Sequence, residues 1–399
     1  MRPSPSVPSV VITTGTLPVR EGDGVPRFVL DLGISIARHA AVTILAPHCE
    51  GARRLEEVDG VQIERFRYFL PTALQRLSRG GVLAVNLRAS KLAALQIPIL
   101  LVAQVFALWR LVKKTEAIAV NSHWLIPQGL SGALVCRLLG VRHVLHVHAG
   151  DVYLLRRIPL GGLVARFVVK RSDQVLADGS HVRDALDELL GYPSEAVLRP
   201  MGVWFDRFNR DRGTPDVSKS IVFVGRFVEK KGIPYLVRAM GDVRRRHPDA
   251  RLTLIGAGPM EDEVHELVGR LGLHDAVEFT GPLPHSEVVE HLRRSAVACV
   301  PSIIDSRGET EGMPTVVLEA MAAGTRVVGT NVDGIPDVLE DRHNGWLCEP
   351  ADAEDLARAI NEALADDSGY QRANAVATSS QHDWSRVGDE YAAYLGIEP

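Results

Sequence analysis

Two stretches in the second half of the chain carry residue types that handle anions and hydroxyls. The first is Gly225-Arg226, followed by Lys230-Lys231-Gly232, set between the apolar run Ile221-Val222-Phe223-Val224 and a helical pattern. Arginine binds oxygens bidentately and lysine supplies a point charge, so two separated cations on a strand-to-helix loop can grip a diphosphate. The N-terminus of the following helix adds partial positive charge. Taken alone, the loop suits a solvated basic turn better. The second stretch is Glu309-Thr310-Glu311-Gly312-Met313-Pro314-Thr315, leading to Glu319. Residues 315–323 read as a helix, so Glu311 precedes it and Glu319 falls in its second turn. Leu318, Ala320 and Met321 flank Glu319, an apolar setting in which a carboxylate needs hydroxyl donors or a cation. Backbone N–H groups at Gly312, Met313 and Thr315 suit an anion or sugar oxygens. A helix-dipole role accounts for Glu311 well and for Glu319 poorly.

The first half offers weaker candidates. His148 follows the apolar run at 143–147 and begins His-Ala-Gly-Asp, ending at Asp151. A histidine at the carboxyl end of a parallel strand lies where α/β folds bind ligands. His146, inside the run, reads as packed between sheet and helix. His123 stands in Asn121-Ser122-His123-Trp124. Gly22-Asp23-Gly24-Val25 lies between the first strand and first helix, where glycine lets backbone approach a ligand, although a plain turn fits nearly as well. Gly256 and Gly258 form a GxG, with Glu261 where a dinucleotide fingerprint needs its third glycine.

The elements that must position these residues follow from periodicity. Strands are expected at 9–14, 41–46, 143–147 and 174–177, with a helix at 25–39. A polar stretch at 208–220 reads as a linker. Strands then recur at 220–224, 251–255, 277–279, 298–300 and 326–329. Helices alternate with them at 233–246, 260–271, 286–294 and 315–323, and a last helical pattern spans 383–395. Alternation of this kind implies parallel sheets covered by helices, in two doubly wound α/β domains. Ligands bind such sheets at the strands' carboxyl ends, so two facing domains would make an interdomain cleft.

In this order, GRFVEKKG, LIGAGP, FTGPLPHSEV and EGMPTVVLEAMAAGTRVVGTNVDGIPDVLEDRHNGWL resemble the nucleotide-sugar domain of glycosyltransferase family 4, retaining enzymes of the GT-B fold. Glu311 and Glu319 match that family's E-x7-E motif. The resemblance covers nearly all of the chain and is most specific in its second half. It implies two facing Rossmann-like domains. The first is acceptor-side, at 1–199, joined by a linker at 200–219 to a nucleotide-sugar domain at 220–375. A terminal segment at 376–399 would pack back on the first domain. Arg226 and Lys231 would hold the donor diphosphate, Glu311 hydroxyls of the transferred sugar and Glu319 the ribose. Backbone at Gly312, Met313, Pro314 and Thr315 would contact sugar and phosphate. Leu283, within 281–284, would lie near the nucleobase, and Gly256 and Gly258 would line the same cleft. His148 matches the family's active-site histidine, with His123 and Asp151 on the acceptor side.

Gly24 falls on the second glycine of the family's Gly-Gly-Val loop, toward the donor, while Asp23 replaces the first glycine and Gly22, just before it, is placed on the acceptor side. The implied reaction is front-face and retaining, with the leaving phosphate accepting the acceptor's proton. The donor would be GDP-mannose or a UDP-hexose. The acceptor would be a lipid-linked or cell-envelope saccharide or a glycolipid; a small soluble acceptor and a sugar-nucleotide epimerase are the alternatives. No cofactor or metal is implied, and no two Asp residues are spaced DxD.

Composition sets the outer limits. At 399 residues, 46% hydrophobic and 24% charged, the chain can form two or three domains with full cores, which excludes disorder and small disulfide scaffolds. The net charge of −4 conceals +8 over residues 1–199 and −12 over 200–399. Neither a basic total nor a basic stripe with a recognisable motif marks a nucleic-acid binder. Between residues 65 and 115 there are nine cations and no acid, next to an apolar run at 92–112, which suits an anionic lipid surface or a solvated helix face about equally. That run contains Gln96, Pro98, Gln104 and Arg110, so a buried or interfacial helix is expected rather than a span. Cys49, Cys136, Cys299 and Cys348 lack metal spacing and read as reduced core residues. The N-terminus lacks a signal-peptide apolar region, so a cytoplasmic protein is expected, peripheral at most on the inner face of the membrane. An oxidoreductase would need GxGxxG after the first strand, which residues 13–24 do not supply. A non-catalytic scaffold would be expected to lose the cations or the sugar-facing acid.

Overall fold

The computed structural model describes residues 7–20, 25–78, 95–210, 219–310 and 312–397. These form two compact units, residues 1–201 with 384–399, and residues 202–383.

The first unit is built on an eight-stranded sheet. Its strands are β1 (Ser9–Thr13), β2 (Ala41–Pro47), β3 (Leu55–Val58), β4 (Val61–Phe66), β5 (Ala119–His123), β6 (Arg142–Val147), β7 (Gln174–Ala177) and β8 (Val197–Leu198), in the order β3-β4-β2-β1-β5-β6-β7-β8. Every pair is parallel except β3–β4 at the edge. Helices α1 (Phe28–Ile36), α2 (Ile97–Thr115), α3 (Leu130–Leu139), α4 (Ala149–Arg156), α5 (Gly161–Val169) and α6 (Ser180–Leu190) connect them. Val10, Val11 and Ile12 are all fully buried, as a central parallel strand with both faces covered requires. The terminal helix, Trp384–Tyr394, belongs to this unit and packs on α1. A Cβ at Gly388 would stand 2.7 Å from the Ser35 carbonyl oxygen, so only glycine lets these two helices approach so closely.

The second unit is a six-stranded, wholly parallel sheet. It comprises β9 (Ser220–Val224), β10 (Arg251–Ile255), β11 (Val277–Gly281), β12 (Val297–Val300), β13 (Arg326–Thr330) and β14 (Trp346–Cys348), in the order β11-β10-β9-β12-β13-β14. Its helices are α7 (Phe205–Asn209), α8 (Ile233–Arg246), α9 (Glu261–Arg270), α10 (His285–Arg294), α11 (Thr315–Ala323), α12 (Ala353–Ala365) and α13 (Tyr370–Gln381). The two-residue period of the strands splits their side chains between two cores. Ile221, Phe223, Val297 and Cys299 enter one, under α8 and α12. Val222, Ala298 and Val300 enter the other, with α11.

Several expected boundaries differ, three of them enough to change the description. The stretch at 200–219 is not simply a linker: 202–210 belongs to the second unit, and Phe208 is buried in its core because α7 packs on α11. The expected break at 375/376 falls inside α13, which packs on α11, so the chain crosses back only after Asp383. The first helix starts at Phe28 rather than 25, after Pro26. All four cysteines are buried and unpaired. Among the described residues no helix is long and apolar enough to cross a membrane.

Candidate active site

In the second unit the loops leaving the carboxyl ends of four adjacent strands are stitched together. Gly225 N–H donates to the Ile255 carbonyl at 3.0 Å, Phe227 N–H to Ala257 at 2.9 Å, and Met260 N–H to Phe227 at 3.1 Å. The fit demands glycine: at Gly256, φ is +133° and a Cβ would lie 2.0 Å from the Gly225 carbonyl oxygen. Gly258 presses likewise against the Phe227 backbone. The same loop is tied to the one after β12, because Ile303 N–H donates to the Lys230 carbonyl at 2.9 Å and Lys230 Nζ to the Thr310 carbonyl at 3.3 Å. The loop after β13 closes the set: Thr310 Oγ1 donates to Asp333, and Gly334 N–H donates to the Gly312 carbonyl at 2.9 Å.

Four loops therefore converge at the carboxyl end of the sheet, with Arg226, Lys231, Gly256, Gly258 and Gly312 on them. Arg226 is exposed, while the stem of Lys231 lies over Gly225, whose Cβ position is 3.4 Å from Lys231 Cε. Glu311 and the glycines Gly22 and Gly24 lie outside the described residues. Met313 is buried in the α11-side core, Pro314 is the N-cap of α11, and Thr315 is its first residue. Proline has no side-chain acceptor, so the first-turn N–H groups receive no side-chain cap among the described residues. They form a partial positive charge at the loop edge. Glu319, one turn on, is half-buried, with His285 Nε2 3.9 Å from its Oε1. His285 opens α10 just after Leu283, which packs on the α11-side core.

In the first unit, His123, His146 and His148 stand at the carboxyl ends of β5 and β6 with their rings stacked. His146 and His148 are 4.7 Å apart at 9°, and His123 and His148 5.2 Å apart at 20°. Asp178, which follows β7, faces two of them: Oδ2 lies 2.5 Å from His148 Nδ1 and Oδ1 2.7 Å from His146 Nε2. His148 Nε2 meets His123 Nδ1 at 3.0 Å, so both ring nitrogens of His148 are engaged. His146 Nδ1 is hydrogen-bonded to the hydroxyl of Tyr391 from the terminal helix. Asp151 is buried and accepts the backbone N–H of Leu125 and, at 3.1 Å, that of His148, so it fixes the start of α4 rather than the His148 ring.

These contacts set the charges. Burial works against a charge on His148, but Asp178 beside it, their hydrogen bond and Asp151 outweigh that and raise its pKa. Burial pushes Asp178 up, yet His148 and His146 hold it well below the usual carboxylate range. Burial, with the neighbouring histidines, keeps His123 neutral, and burial likewise lowers His146 despite Asp178. Burial raises Asp151 to about 6, against the pull of His148 and the backbone donors. The contacts thus favour the charged forms of His148 and Asp178 and the neutral forms of His123 and His146. His146, His148 and Asp178 are also a donor set suited to a metal ion. Their mutual contacts of 2.5 and 2.7 Å are shorter than the roughly 3.3 Å that tetrahedral ligands of zinc keep from one another, so the arrangement fits an ion pair better.

Comparison with known proteins adds the lineage. A family model described as glycosyltransferase family 4 matches residues 22–207, and one described as glycosyl transferases group 1 matches residues 205–380, so that between them they run across nearly the whole chain. The chain belongs to glycosyltransferase family 4. A putative colanic acid biosynthesis glycosyltransferase, WcaL, of Salmonella typhimurium is 34% identical over 43% of this chain and 43% of its own length. A GDP-mannose-dependent alpha-(1-6)-phosphatidylinositol monomannoside mannosyltransferase of Mycolicibacterium smegmatis is 29% identical over 64% of this chain and 69% of its own. The chain spans between 43% and 65% of the length of the first curated relatives it matches. The solved structure of Anabaena HepE in complex with UDP covers 98% of this chain and 99% of its own at 16% identity and a TM-score of 0.71. This family 4 chain has the GT-B kind of fold, two parallel-sheet α/β domains.

Within it, three residues escaped the sequence reading. Asp178 ends a strand, as His148 does, and the same rule would have found it. His285 was in plain view in the GPLPHSEV motif, four residues after Gly281. Tyr391 lies 245 positions from His146 and carries no local signal at all.

Proposed function

We propose that the chain transfers a hexosyl unit, with retention, from a nucleotide-diphosphate sugar to a hydroxyl of a lipid-linked or cell-envelope acceptor. The observation that carries this reading is the convergence of four loops around Arg226, Lys231 and the N-terminus of α11. As the anomeric carbon–oxygen bond breaks, the diphosphate gains charge and the sugar becomes oxocarbenium-like. Fixed cations and backbone N–H groups stabilise that charge without having to reorganise. The departing phosphate oxygen takes the acceptor's proton, so no carboxylate nucleophile is required, unlike in most retaining glycosidases. Glu311 is assigned to the sugar hydroxyls and Glu319 to the ribose, with Leu283 beside the base. In the first unit, His148 with both nitrogens engaged acts as a fixed positive charge on the acceptor side, not as a proton shuttle. The name of the mycobacterial relative, which specifies GDP-mannose and a phosphatidylinositol monomannoside, supports this donor class and a lipid acceptor.

Three measurements test the reading. Against a panel of nucleotide sugars, the wild type is expected to release diphosphate from one of them. Glu319→Ala is expected to raise KM for that donor about tenfold with kcat little changed, as loss of a contact made equally in ground and transition states would do. A fall in kcat at unchanged KM would remove Glu319 from ribose binding. Metal independence follows from two cations already balancing the diphosphate. Turnover is expected to survive chelation, and its loss in EDTA with recovery on Mg²⁺ addition would overturn that part.

A further inference from the structure

The outer face of α2 is apolar where a surface helix is ordinarily polar. Its inner face is buried through Leu100, Gln104, Leu108 and Leu111, with Gln104 Nε2 donating to Ser131 Oγ at 2.9 Å. Facing outward are Ile99, Val102 and Phe106, at helical spacings of three and four, 45%, 69% and 62% exposed. Pro98, Ile99, Val102, Ala103 and Phe106 line an open depression of about 480 Å³. The stripe continues to Trp109, whose ring packs on Phe106 at 5.9 Å and carries Lys113 Nζ at 5.0 Å. At the other end, Gln96 ties the helix to a neighbouring segment, donating to the Leu74 carbonyl at 2.8 Å and accepting from Arg76 N–H at 3.1 Å. Leu70, Leu74 and Leu95 are exposed as well.

Charge says what covers this face. From residue 65 to 115 there is no acid, and Arg67, Arg76, Lys113 and Lys114 are exposed. Arg110 is instead engaged by Glu64, and Arg79, Arg88 and Lys91 lie outside the described residues. Apolar side chains bordered by a tryptophan and exposed lysines are the pattern of a helix lying in a bilayer interface, with rings and chains in the acyl boundary and ammonium groups among anionic headgroups. A second copy of this chain would bring the same cations against one another. We propose that α2 lies on an anionic lipid surface, through the face formed by Ile99, Val102, Phe106 and Trp109 and the lysines that follow. The inference stands apart from the transfer reaction.

The test is co-sedimentation of the full chain with phosphatidylcholine vesicles, with and without phosphatidylglycerol. Wild type is expected to sediment with the mixed vesicles at low salt, and much less with neutral ones or at high salt. Val102→Asp with Phe106→Asp is expected to lower binding about tenfold or more, by removing apolar burial. Lys113→Glu with Lys114→Glu is expected to lower it about as much on the mixed vesicles alone. All four positions are exposed, and unchanged melting temperatures confirm that folding is intact. Failure of the wild type to sediment with mixed vesicles overturns the proposal, as does wild-type binding by both variants. A dimer in size-exclusion chromatography that Val102→Asp with Phe106→Asp dissociates would overturn it in favour of a second copy.

Discussion

Lys231→Met and, separately, Arg226→Ala are expected to lower kcat/KM by about 10²–10³ each, the cost of removing one preorganised group from a developing anion. Methionine keeps the stem that lies over Gly225 and removes only the charge, so the loop geometry should persist and the melting temperature should stay close to wild type. The loss should appear chiefly in kcat, because the diphosphate bears more negative charge when leaving than when esterified. The two need not be equal. Arg226 is exposed, whereas the stem of Lys231 lies against its own loop, and a preformed charge is worth more than one that must be ordered on binding. Steady-state kinetics on the donor found by the panel decides it. A Lys231→Met enzyme with wild-type kcat/KM would remove this loop from the chemistry and leave a solvated basic turn.

What could be read from the chain depended on whether the physics was local. Ile221-Val222-Phe223-Val224 and the loop behind it were legible because an unbroken apolar run followed by glycine and cations is a short-range signal, and β9 has the bounds expected. β5 was not, since Asn121, Ser122 and His123 read as polar. They are buried because each is paired across the sheet: Asn121 Nδ2 donates to the Val144 carbonyl at 3.2 Å, and Ser122 Oγ lies 3.0 Å from His143 Nε2. Such pairing is a tertiary fact that alternation cannot encode. The edge hairpin β3–β4 was missed for a related reason, as Leu55–Val58 is an acidic, mostly exposed strand with hardly an apolar face. The histidine group shows both sides. Its positions at strand ends were readable, but its charges were not, because they depend on Asp178, thirty positions from His148, and on burial.

Asp178→Asn is expected to destabilise the first unit by about 3–5 kcal/mol, the range for removing one partner of a buried ion pair. The side chain changes by a single atom and its volume is kept, so the loss is electrostatic. His148 is then left either charged and unpaired in the interior or neutral against an amide that cannot satisfy both His146 and His148. The pH dependence separates this from a packing defect. The folded pKa of His148 is raised, so its contribution is complete below the unfolded value of about 6.5 and fades as pH rises through the folded one. The folded pKa of Asp178 is lowered, so its contribution is complete above about 3.9 and fades as pH falls through the folded one. The stability difference between wild type and variant should therefore be greatest between about pH 4 and 6.5 and shrink on either side. His123 and His146, both lowered, destabilise the folded state on acidification in either protein, and more so in the variant, because Asp178 is among the groups that hold their pKa values up, so they add to the difference below about pH 6.5. Denaturant titrations of both proteins across this range give the curve directly. A difference that is flat with pH would mean that Asp178 serves as a hydrogen-bond acceptor only and that His148 is neutral in the folded chain.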